Sequence, residues 1–144
     1  AMGKTLTGMH KHVQDKKDTM VVVTIITDGM ENASREYNGK TIKDLVERLR
    51  GEGWTFTYMG ANQDSVEVAM SMSIRNARNF DYSNDGTRAS MQKDSSTRMN
   101  LFGRLAKWKT AEMKGCCAVP ASESERRNLY ANMADEAFDE EENK

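Results

Sequence analysis

The residues with the most chemistry per unit length lie in one short run, Thr27-Asp28-Gly29-Met30-Glu31-Asn32-Ala33-Ser34. A carboxylate, Asp28, is followed closely by a second carboxylate, an amide and a hydroxyl. Oxygen donors of this kind suit a hard divalent cation, and Mg²⁺ in particular keeps several waters while using only one or two carboxylates. An Asp-Gly pair can also serve simply as a turn, with the side chain satisfying loop amides. A second polar cluster, Gly60-Ala61-Asn62-Gln63-Asp64, lies thirty residues on.

Both clusters follow runs that read as strands. Met20-Val21-Val22-Val23-Thr24-Ile25-Ile26-Thr27 is β-branched almost throughout and does not alternate, the pattern of a strand buried on both faces of a parallel sheet. Trp54-Thr55-Phe56-Thr57-Tyr58-Met59 is a second strand, closed by Gly60. Between them Ile42, Leu45, Val46 and Leu49 mark one face of a helix that Thr41 can cap and that Gly51 and Gly53 end. Leu6, Met9, His10 and Val13 predict a helix over residues 3–14. Asp64–Met72 reads as a short helix with Val66, Ala69 and Met70 on one side. Alternating helices and strands imply βαβ units and an open α/β sheet, whose ligands bind at loops leaving the carboxyl ends of strands. Both polar clusters are placed there.

The remainder is less regular. Asn79–Ser83 could form a short edge strand and Asn84–Thr87 a turn. Residues 87–114 suit a helix with Met91, Met99, Phe102, Leu105, Ala106 and Met113 as candidate buried positions, and Asp94–Thr97 as a candidate break. Ser122 and Glu125 suggest a capping box for a last helix through Leu129, Tyr130, Met133 and Ala137. Residues 135–144 hold six acidic residues and one lysine, a net −5, and read as a solvated, frayed tail. The first 134 residues hold twenty basic and sixteen acidic side chains, a net +4.

Taken whole, the run from Val21 to Ser34, the helix after it, the Trp54–Tyr58 strand and the Gly60–Asp64 loop resemble the von Willebrand factor A domain, in its bacterial and phage-type form. The resemblance covers roughly residues 1–80. It implies a Rossmann-like, doubly wound parallel sheet, here a partial one, followed by a helical extension over 81–134 and the acidic tail over 135–144. It also implies a protein-interaction module whose metal-ion-dependent adhesion site holds Mg²⁺ and takes a carboxylate from a protein partner. That site uses an Asp-x-Ser-x-Ser motif, a Thr from a middle loop and the Asp of a Thr-Asp-Gly loop. Asp28 matches the last of these; the first does not occur ahead of it, and the middle-loop Thr would lie before the helix that Ala1–Leu6 resembles, ahead of this chain. Asp28 is therefore the one expected metal residue, and the site is incomplete. Thr27, Gly29, Glu31, Asn32 and Ser34 would shape and rim it, with Asn62 and Asp64 on the same face from the next strand. The missing loops, and a helix that starts at the first residues without a cap, fit a piece of a longer or split reading frame. Such a piece would expose a sheet edge and self-associate.

Other classes fit less well. The chain has 144 residues and a formal charge of −1, which argues against a general nucleic-acid binder. Arg98, Arg104, Lys107, Lys109 and Lys114, around Trp108, read as a solvated cationic face. No run approaches the ~18 apolar residues of a membrane span, and no apolar signal core follows Lys4. The expected compartment is the cytoplasm, with adjacent Cys116 and Cys117 as reduced thiols. His10 and His12, two apart on a helix, face different sides and cannot readily share a metal. Neither GxxxxGK[ST], GxGxxG nor a Gly-x-Ser-x-Gly elbow occurs, so an enzyme is not expected. The alternatives are a metal-independent interaction module, a fragment of a split protein or, behind these, a phosphate-handling α/β enzyme.

Overall fold

A computed structural model describes residues 2–27, 39–61, 65–81 and 83–142. The elements in chain order are α1 (Met2–Val13), β1 (Val22–Thr27), α2 (Gly39–Gly51), β2 (Thr55–Ala61), α3 (Ser65–Ser71), β3 (Asn76–Phe80), α4 (Asn84–Met113) and α5 (Glu123–Glu142). The three strands form one parallel sheet in the order β1-β2-β3. This is an α/β architecture.

Strand alternation divides the side chains between two cores. Val21, Val23 and Ile25 point to the same side as Phe56 and Tyr58, and pack with Leu6 of α1 and with Ile42, Leu45, Val46 and Leu49 of α2. All four predicted α2 positions are buried, because a 3.6-residue period keeps them on one stripe. The opposite side of the sheet takes α4 and α5. There Leu101, Ala134, Ala137 and Phe138 form a second core with Met20, Val22 and Met133.

Several expectations are corrected. β1 is not buried on both faces: it is an edge strand among the described residues, and Ile26 is 45% exposed. β2 is buried at every position. In the sheet β2 lies between its two parallel neighbours, and its Thr57 hydroxyl is satisfied by that of Thr24 at 2.8 Å. β3 starts at Asn76 rather than Asn79, because its register is set by pairing with β2, Thr57 opposite Asn76. Asn84–Thr87 is no free turn but the start of α4, where the Ser83 hydroxyl accepts from the Gly86 amide at 3.0 Å. Asp94–Thr97 does not break α4. Arg98 pairs with Asp94 at 2.8 Å and the Thr97 hydroxyl donates to the Lys93 carbonyl at 2.9 Å, so these polar groups are satisfied within the helix.

The acidic C-terminal stretch is helical, not frayed, as far as Glu142. Ala134, Ala137 and Phe138 recur among the acids at helical spacing and bury one face, leaving Glu136 and Glu140 outward. The expected capping box of α5 forms with a shifted return bond: the Glu125 amide donates to Ser122 Oγ at 3.2 Å, and Glu125 Oε2 accepts from the Ala121 amide at 2.8 Å. The buried face of α4 is Thr97 and Leu101, while Met91, Met99, Phe102, Ala106 and Met113 face solvent and Leu105 is half-buried. On α3, Ala69 is buried but Val66 and Met70 are exposed.

Candidate functional site

Parallel pairing fixes where the loops leave the sheet. Thr27, the last residue of β1, is opposite Gly60, and Ala61 is opposite Phe80. The carboxyl ends of all three strands are therefore level, and the chain leaves β1 and β2 at neighbouring points along one edge of the sheet. This is where an open α/β sheet presents ligand-binding loops.

Of the residues singled out in the sequence, Thr27 is described and is half-buried at this edge. Asp28, Gly29, Glu31, Asn32, Ser34, Asn62 and Asp64 lie outside the described residues. Two further residues at the same edge were not found by sequence reasoning. Ser65 opens α3, and its amide donates to the Asn79 side-chain oxygen at 2.9 Å. Its Oγ is buried without a hydrogen-bond partner among the described residues. The signal for Ser65 was its place immediately after the Gly60–Asp64 loop; for Asn79 there was none, since its role depends on the β2–β3 register. No group of three or more His, Cys, Asp or Glu side chains that could hold a metal occurs among the described residues.

The strongest electrostatic organisation lies at the opposite, amino end of the sheet and ties the α4–α5 hairpin to the segment before β1. Asp18 accepts hydrogen bonds from Tyr130 Oη and from Lys109 Nζ, the latter at 2.6 Å. Arg126 donates to both oxygens of Glu112 at 2.7 and 3.2 Å and to Tyr130 Oη at 3.2 Å, with its guanidinium over the Trp108 ring. Burial pushes the Asp18 carboxyl up, but the hydrogen bonds from Lys109 and Tyr130 and the charges of Lys109 and Arg126 outweigh it and hold the group below its ordinary value. The hydrogen bond to Glu112, then that to Tyr130, raises Arg126, against the opposing effect of burial. This network is a clamp: every member is paired within the chain, so it has little left to offer a ligand.

Two clefts also lie at the amino end. One, of about 150 Å³, is lined by His10, Glu52, Trp54 and Arg127, with His10 Nε2 2.8 Å from Glu52. The other, of about 500 Å³, runs between the starts of β2 and β3 and α5, lined by Arg50, Arg75, Asn76, Asn132 and Asp135. Here burial raises Asp135 above its ordinary value, against the opposing charges of Arg75 and Arg50. Arg50 already donates to the Ser73 carbonyl at 2.7 Å.

No family model matches the chain, and no curated protein or solved structure matches it either.

Proposed function

We propose that the chain is a protein-interaction module of the von Willebrand factor A type, which engages its partner at the carboxyl edge of its sheet. The observation that carries this reading is the level alignment of Thr27 with Gly60. The chain leaves β1 and β2 at neighbouring points there, which supports a site shared between the two loops that follow. The one-way order β1-β2-β3 supports it further, since half of a doubly wound, Rossmann-like sheet has that order. In this reading Asp28 holds Mg²⁺, largely through water, and the metal takes a carboxylate from the partner protein. The two other loops that the family's site uses are not in this sequence, so binding by this chain alone is weak. The module binds and does not catalyse.

Isothermal titration of the full chain with Mg²⁺ or Mn²⁺ tests this. The expected result is millimolar binding that disappears in Asp28→Ala. No heat at millimolar metal would overturn the metal role. The same face would then serve as a metal-independent interaction surface.

A further inference from the structure

α4 runs for 30 residues, yet its buried positions are only Thr97 and Leu101. The face turned away from the sheet carries a second pattern. Ala89, Ser96, Gly103 and Thr110 recur every seven residues, and Gln92, Met99, Ala106 and Met113 recur every seven residues three places on. All eight are exposed, Met99 at 73% and Met113 at 89%. None is charged, in a chain where 30% of residues are. Alternating spacings of three and four over ~36 Å of helix form the seam of a helix–helix contact, with small residues at one position and mostly Met or Ala at the other. Phe102, 51% exposed, borders the seam.

Gly103 lies on this seam and, like Gly8, Gly39 and Gly51, sits in open space. Glycine inside a helix lowers its stability, and a Cβ placed at Gly103 would meet nothing within 4 Å. Among the described residues nothing packs against it, and the missing side chain leaves room for close approach of an external backbone.

The flanks specify the partner. On a seam of this register, the positions that meet the partner's charges are Arg88 and Lys109 on one side and Lys93, Lys107 and Lys114 on the other. Five are basic and none is acidic. Lys109 is held by Asp18, whereas Arg88, Lys93, Lys107 and Lys114 make no ion pair among the described residues. A second copy of α4 would set like charges against each other in either orientation, which disfavours self-pairing. A lipid surface calls for bulky Trp, Phe or Leu on the apolar face rather than Ala, Ser and Gly.

We propose that this face of α4 docks an amphipathic helix of a partner protein whose seam is flanked by acidic residues. The surface is separate from the carboxyl edge of the sheet and does not rest on the metal reading.

The test uses the full chain and two labelled heptad peptides with Leu and Ala along the seam, one carrying Glu at every flanking position and the other Lys. Anisotropy titration is expected to show the Glu peptide binding at least about tenfold tighter at low salt, the sum of several exposed ion pairs. Gly103→Leu should keep or raise the unfolding temperature while abolishing binding, a combination that a purely structural glycine would not give. The double change Lys107→Glu with Lys114→Glu should reverse the peptide preference. Equal binding of both peptides, or of neither, would overturn the proposal. So would sedimentation with phosphatidylserine vesicles in the absence of any peptide preference, which would assign the face to membranes. Self-association that Gly103→Leu abolishes would assign it to a second copy.

Discussion

Two carboxylates show how placement sets the sign of a charge's contribution. Asp18, partly desolvated but still exposed, is held below the ordinary value of 3.8 by Lys109, Tyr130 and Arg126. A depressed carboxylate stabilises the fold above the unfolded-state value, and that contribution is lost as pH falls through the folded-state value. Asp18→Asn is therefore expected to lower the melting temperature at pH 7, with the difference from wild type closing as the pH drops below 3.8 in a calorimetric series. Asp135 is raised, chiefly by burial, so the fold favours its protonated form. That contribution is present below the unfolded-state value and lost as pH rises through the folded-state one. Asp135→Asn should raise the melting temperature at pH 7, and the gain should vanish as pH falls towards 3.8. Both signs follow from burial together with partners 60 to 112 residues distant, from Arg75 beside Asp135 to Tyr130 beside Asp18. Neither could be read from the residues flanking Asp18 or Asp135 in the chain.

Among the elements, α5 decides most about the second layer. It covers one side of the sheet through Ala134, Ala137 and Phe138, and it passes close to the turn after α2. Gly53 marks that approach. Its φ is +94°, and a Cβ there would stand 2.7 Å from Arg127 Cβ and 2.8 Å from the Arg127 carbonyl oxygen. Gly53→Ala thus combines a left-handed backbone with a clash against α5, and is expected to cost ~2 kcal/mol or more in urea unfolding. A loss within a few tenths of a kcal/mol would show that α5 does not pack against this turn. The helices and the first two strands were legible from periodicity, as the four buried positions of α2 illustrate. β3 starts three residues before the point its sequence suggests, because that sequence alternates weakly and β2 sets its register. On α4 the buried face is not the one its sequence suggests: its apolar residues are spread around the helix, and Met99 and Met113 are turned to solvent while Thr97 and Leu101 are buried.

The sheet is covered on both faces, and among the described residues its outer strands β1 and β3 each keep one unpaired edge. The Thr55 amide donates to the Val21 carbonyl, so in the parallel register the backbone groups of Val22, Thr24 and Ile26 point away from β2. Among the described residues no strand pairs with them. An uncovered edge rich in β-branched residues invites pairing with another chain. Light scattering at micromolar concentration is expected to show weak association that Ile26→Lys reduces and Gly103→Leu does not change, which separates this edge from the α4 seam. A monodisperse monomer throughout that range would remove the edge as an association site.

An α/β chain of alternating helices and strands, with polar clusters following strand ends, is legible in the sequence. Those features rest on local periodicity and turn chemistry, which need no knowledge of neighbours. The resemblance that names Asp28 as a metal residue also came from the sequence, and that residue lies outside the described part of the fold. Long-range packing makes β1 an edge among the described residues and β2 the centre, folds the acidic stretch into a packed helix, and turns one face of α4 outward. Each depends on which of several hydrophobic surfaces finds a partner. That choice is made by strand order, register and helix docking across the chain, where neighbouring residues in sequence carry no information.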